Sequence, residues 1–170
     1  GECEGDATEM SECMVRYNVI LNPTGESHLI IFQDTITGIE YGNEIGIFDL
    51  NGVVSTVEGD ETPEYGEVLV GSSIWMDFQA EIVAIMSIDL SQFSGPILNG
   101  AIEGNDIFIR VYSPDDNFEY QTVTANITTG GQFGDMFTVI SELELSDPVD
   151  VVLGCTNESS CNYNSMATHD

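Results

Sequence analysis

The chain has 170 residues, and its 30 Asp+Glu outweigh its 2 Lys+Arg to give a formal net charge of −28 at pH 7. Charged residues are only 19% of the total, below the ~25% of an average domain, so the imbalance comes from missing base: there is no lysine, and Arg16 and Arg110 are the sole cations. That excludes nucleic-acid binding, which needs Lys/Arg on phosphates, attraction to an anionic membrane surface, and all lysine chemistry from Schiff bases to isopeptide cross-links.

A hydrophobic share of 42% argues for a packed core rather than disorder, and the length suits one domain with small appendages. No run approaches the ~20 apolar residues of a membrane span. The chain opens Gly1-Glu2-Cys3 without an initiator Met or an apolar leader, so it is expected to be a mature or excised piece of a longer protein.

In chain order, Ile, Val, Phe, Tyr and Thr recur in short runs between turn signals. Such side chains suit a pleated, half-buried surface. Strands are expected at 15–21, 28–32, 44–48, 53–57, 67–70, 74–78, 81–88, 106–112, 120–127 and 137–145. Asn51-Gly52 between two apolar runs predicts a hairpin turn. Within 82–90 the apolar residues fit a helical stripe or one strand face, and strand neighbours with no clean cap favour the strand. A spacing of about 8–12 residues with turns between predicts an all-β fold, an antiparallel β-sandwich of Ig-like or jelly-roll-like type. The expected organisation is a cysteine-containing segment at 1–13, the β-sandwich at 14–150, and a linker strand with a cysteine repeat at 151–170.

All four cysteines, Cys3, Cys13, Cys155 and Cys161, lie in the two end segments. They point to disulfides in an oxidising, extracellular compartment. Spacing permits two local loops, Cys3 with Cys13 and Cys155 with Cys161, and four cysteines allow three pairings in all.

The stretch Gly154-Cys155-Thr156-Asn157 through Cys161-Asn162-Tyr163-Asn164 to Ala167-Thr168-His169-Asp170 resembles a cysteine repeat of secreted Bacteroidota proteins, roughly G-C-T-D-x-x-A-C-N-Y-N-x-x-A-T-x-D-D-G-S-C. The chain stops before the final Gly-Ser-Cys, but Gly1-Glu2-Cys3 of a following unit nearly completes it, with 11 residues from Cys161 to the next Cys3, one fewer than in the family. The resemblance implies a tandem array in which Cys155 pairs with Cys3, and Cys161 with Cys13, of the next unit. Each such bridge would contribute about 2–4 kcal/mol. Tyr41-Gly42-Asn43-Glu44-Ile45-Gly46-Ile47-Phe48-Asp49 and Glu103-Gly104-Asn105-Asp106-Ile107-Phe108-Ile109-Arg110-Val111-Tyr112 are similar to two strands of β-sandwich modules in secreted Bacteroidota proteins, G-D-E-I-G-V-F-D and G-D-x-I-x-F-R-V-W-D. The Cys-Val-Gly that follows the first in that family is replaced here by Val53-Val54-Ser55.

Nucleophilic catalysis finds no support, with no G-x-S-x-G elbow and with His28 expected at an edge or the rim of the core. Trp75 in an apolar stretch is expected in the core. Not an enzyme is the expectation. Calcium is the chemical candidate, because hard cations need several oxygens at once. Two groups of oxygen ligands are expected: Asn162, Asn164 and Asp170 joined by Glu2 and Asp6, or Asp115, Asp116 and Asn117. Asn126 and Asn157 fit N-glycosylation sequons, and Asp34-Thr35-Ile36 resembles the O-glycosylation motif of Bacteroidota, placing the sugar on Thr35. Each arginine is expected to find a carboxylate.

The function expected from the sequence is a structural unit of an extracellular filament or long surface protein, its partner being itself, head to tail. The junction would be cysteine-stapled, calcium-binding, and aided by a donated strand at Val149, Val151, Val152 and Leu153. The alternative is a calcium-dependent carbohydrate-binding or adhesion module, with glycans as partners.

Overall fold

The computed structural model describes residues 16–146. Among them the chain forms β1 (Ser27–Phe32), β2 (Glu44–Val53), β3 (Tyr65–Ile74), β4 (Ala80–Ile85), β5 (Ile88–Asp89), β6 (Ile97–Leu98), β7 (Phe108–Ser113), β8 (Phe118–Thr129) and β9 (Thr138–Leu145), with one 3-10 turn at Ser91–Phe93. The protein is all-β, as its composition predicts.

Seven strands pair in the order β3-β2-β7-β8-β9-β1-β4, and β5 and β6 form a separate ribbon. The long β8 makes the corner. Its first residues, up to Gln121, pair with β7, and from Thr122 onward it pairs with β9. The sheet therefore folds into two layers that share β8. At the other side the layers nearly meet, since a Cβ on Gly71 of β3 would lie 2.8 Å from Ile82 Cγ2 of β4. Within the seven-stranded sheet, strands pair antiparallel except β1 and β9, which run parallel through Ile30↔Thr138, Ile31↔Val139 and Phe32↔Ile140.

The period of two in the sequence decides which residues fill the space between layers. In β1, His28, Ile30 and Phe32 point inward; in β4, Ala80, Ile82 and Ala84; in β7, Ile109 and Val111. In β9 the buried positions change from Thr138 and Ile140 to Leu143. The switch of parity follows a break in register opposite β8, between Asn126↔Glu142 and Ile127↔Ile140, where the extra residue of a bulge turns the strand over. Trp75 is 2% exposed and joins this core, in line with its expected role.

Several local expectations are corrected. Asn51-Gly52 does not turn a hairpin: β2 runs through it as one 10-residue strand with an irregular register between Asp49 and Gly52. Glu81 to Ile88 is strand but broken, β4 ending at Ile85 and β5 starting at Ile88. Of 74–78 only Ile74 is in a strand, and of 53–57 only Val53. Residues 16–21 alternate in burial but join no ladder.

Candidate functional site

Both cations of the chain converge on the outer face of β2, β7 and β8. Glu44, Gly46 and Phe48 of β2 stand opposite Tyr112, Arg110 and Phe108 of β7, and Arg110 and Tyr112 stand opposite Gln121 and Glu119 of β8. Arg110 donates two parallel hydrogen bonds to Glu67, at 2.8 and 2.6 Å. Its guanidinium lies 4.4 Å from the Phe48 ring centroid. Arg16 stacks on Tyr112 at 5.4 Å, and Arg16 and Arg110 both approach Glu119, at 3.8 and 3.9 Å. Each arginine thus finds its carboxylate. The hydrogen bonds from Arg110 hold the Glu67 carboxyl below its usual range.

Tyr17 closes over this cluster. Its backbone N–H donates to Glu44 at 3.0 Å, its hydroxyl donates to Glu119 at 2.9 Å, and its ring meets Phe48 edge-on at 5.6 Å. The ring fits because Gly46 beneath it has no side chain: a Cβ there would fall 2.9 Å from Tyr17 Cδ2. Tyr17 is 4% exposed. Burial first, and then the neighbouring Glu119 carboxylate, push its hydroxyl pKa far up, against the pull of the two arginines.

A second buried polar network lies at the irregular end of β2. The Asp49 carboxylate, 1% exposed, accepts hydrogen bonds from Asn51 N–H (2.8 Å), Ile102 N–H (2.8 Å) and the Asn105 amide (3.0 Å to each oxygen). It ties β2 to the loop before β7. This network explains why Asn51-Gly52 is no hairpin. The Asp49 side chain captures the Asn51 N–H, and Gly52 packs with its Cα side against the carbonyl of Gly100, 2.8 Å from where a Cβ would sit.

His28 lies in the core at 1% exposure, on a strand flanked by β4 and β9 rather than at an edge. Its Nε2 is 2.9 Å from Thr138 Oγ1, which also accepts the Gly131 N–H, and its ring meets Phe133 edge-on. Among the described residues Nδ1 has no hydrogen-bond partner of ordinary geometry, though the Asp135 backbone lies near enough to act on the ring. Burial lowers the imidazole pKa, with Asp135 opposing the shift.

The proposed calcium residues Asp115, Asp116 and Asn117 form the turn between β7 and β8. Asp116 Oδ2 accepts from Ser113 and Tyr120 hydroxyls at 3.0 and 3.1 Å, and Asn117 Oδ1 accepts from Tyr112 at 2.7 Å, with Asn117 left-handed at φ 51°. These oxygens serve the turn itself. Among the described residues no three or more His, Cys, Asp or Glu side chains cluster in a way that could hold a metal ion. Asn126 is exposed on β8, with its amide donating to Glu142, and Thr35 is exposed in the loop after β1. All four cysteines, Glu2, Asp6, Asn157, Asn162, Asn164, Asp170, and the strand-donor residues Val149, Val151, Val152 and Leu153 lie outside the described residues.

Where β8 leaves β7 for β9, the two strands part around a groove of about 350 Å³. Leu50, Ile107, Phe108, Arg110, Ala125 and Ile127 are among the residues that line it. The Asp106↔Gln132 bridge lies beyond Ile107, between the approach to β7 and the loop after β8. No helix of the described residues is long and apolar enough to cross a membrane. No family model, curated protein or solved structure matches the chain. Fold and site together define a β-sandwich whose polar networks are tied up in holding its own strands, loops and leading segment.

Proposed function

We propose that this protein is a structural unit of an extracellular filament or long surface protein, linked head to tail to further copies through its cysteine-bearing ends. One observation carries the proposal: the chain enters and leaves the sandwich at the same end. Arg16 reaches Glu119 on β8, and Ser146 donates its N–H to the Gln121 carbonyl, two residues further along that strand. Cys13 precedes Arg16 by three residues, and Cys155 follows Ser146 by nine. Both cysteine-bearing segments therefore start from one place, which supports a joint built of cysteines rather than of sandwich surfaces.

The charge supports the same design. At −28, neighbouring units repel, and a copy offers no free cationic patch, since its two arginines are bound to its own carboxylates. Covalent bridges, strand exchange and divalent ions hold units together without any cationic patch. Electron microscopy of the oxidised protein tests the proposal: strings of beads at regular spacing are expected, and single particles that persist after oxidation at high concentration would contradict it.

A second reading, carbohydrate binding, rests on Phe108, 45% exposed at the groove beside Leu50, because sugars stack on exposed aromatic rings. A glycan array probed with and without calcium tests it.

A further inference from the structure

We propose that residues 17–23 form a releasable strap, latched at Tyr17, whose opening moves the point where the chain enters from one end of the sandwich to the other. The strap is held at three places. At its start is the Tyr17 latch on Glu44, Gly46, Phe48 and Glu119. In the middle Leu21 packs against the core, while Ile20 beside it is 86% exposed. At the far end Thr24 Oγ1 donates to the Met86 carbonyl at 2.6 Å, and the Met86 N–H donates to the Glu26 carbonyl at 3.1 Å. Between these anchors residues 18–23 make no hydrogen bond to other described residues.

The two anchors lie at opposite ends of the fold. Tyr17 sits at the level of Glu119, beside the exit at Ser146. Thr24 leads into Ser27, which pairs with Ile85 and lies three residues before the Ile30↔Thr138 pair, where β9 begins. With the latch closed, a unit hangs like a pendant from a joint at one end. With the latch open, the chain enters at Thr24 and leaves at Ser146, so the unit lies in line, and the six residues 18–23 add roughly 20 Å of extended chain. Load then reaches β1 and β9 from opposite ends, and because they are parallel neighbours it shears their hydrogen bonds together rather than opening them one by one. This mechanical role rests on the linking function proposed above; the latch itself does not.

Trypsin offers a direct test, because the full chain has only two sites, after Arg16 and after Arg110. Arg110 lies inside β7 and is cut only when the sheet opens, whereas cutting after Arg16 needs Tyr17 to leave its seat. Proteolysis of a folded chain reports the population of the open form. In the reduced, unassembled protein, cleavage after Arg16 is expected at least about tenfold faster than after Arg110. Gly46→Ala, which leaves the cleavage sequence intact, should speed cleavage after Arg16 several-fold, and Tyr17→Phe, which keeps the ring and loses the bond to Glu119, should speed it less. Equal rates at both bonds in the wild type, or a rate after Arg16 unchanged in both variants, would overturn the proposal. Pulling the reduced chain by its two ends should show an extension of at least roughly 20 Å before the main unfolding event, lost in Tyr17→Ala; a single event in the wild type would contradict it. Neither measurement requires units to join, so a working latch in a protein that does not polymerise separates this inference from the linking role.

Discussion

Tyr17 lies across Gly46 so closely that the glycine Cα–H side is the floor of its binding site: a Cβ would stand 2.9 Å from the tyrosine ring and 2.8 Å from Phe48 Cε2. The pair joins the segment before the first strand to the face that also gathers both arginines.

Gly46→Ala should therefore destabilise the protein by about 1–3 kcal/mol, the usual cost of overpacking a filled site. Urea titration measures it. In a Tyr17→Ala background the same substitution should cost less, because one of its two clashing partners is gone. Strictly additive effects would mean that the two residues do not meet in solution.

Asp49 offers a second test. Asp49→Asn replaces one accepting oxygen by an amide that faces the donors of Asn51, Ile102 and Asn105. At least one buried N–H then loses its acceptor, and a loss of about 2–3 kcal/mol is expected. Chemical denaturation checks the loss, and hydrogen exchange at the Ile102 amide should accelerate.

Arg110 binds Glu67 through a planar fork and stacks on Phe48, a combination that an ammonium group does not reproduce. Arg110→Lys should recover less than half of the roughly 1–2 kcal/mol lost in Arg110→Met, a small loss because water screens the partly exposed pair. In Arg110→Met the Glu67 carboxyl should return toward its ordinary titration range, followed by NMR.

His28 makes stability depend on pH with a defined sign. Its folded pKa is lowered by burial from an ordinary value near 6.5. Between those two values the unfolded chain binds a proton that the folded chain does not, so stability falls as pH drops below about 6.5 and is fully present above it. The stability difference between wild type and His28→Gln should shift against the wild type between pH 7 and pH 5. A difference that stays constant over that range would show that His28 is not buried in its neutral form.

The alternation of His28, Ile30 and Phe32, of Ile82 and Ala84, and of Ile109 and Val111 made the strands and the core legible in sequence, because burial in a sandwich follows the pleat. The same alternation misled at 15–21. Among the described residues of that run, Tyr17 and Leu21 do turn inward while Asn18 and Ile20 face out, but they lie on a sheet face rather than in a ladder, and period alone does not tell the two apart. At Asn51-Gly52 a local turn signal lost to contacts that sequence does not display: Asp49 reaches Ile102 and Asn105, 53 and 56 residues away. The latch was hidden for the same reason. Tyr17 binds Glu44 and Glu119 across 27 and 102 residues. Its only trace in the sequence was Gly46, a glycine inside a strand run, which marks a place where another group approaches closely.

The central claim is that the cysteines join one unit to the next. It is tested most directly by mixing equal amounts of unlabelled and ¹⁵N-labelled protein under reducing conditions, oxidising, digesting without reduction, and mapping the bridges by mass spectrometry. The linking account predicts peptides that join Cys155 to Cys3 and Cys161 to Cys13 with one label state on each side. Bridges only from Cys3 to Cys13 and from Cys155 to Cys161, each within a single label state, would contradict it.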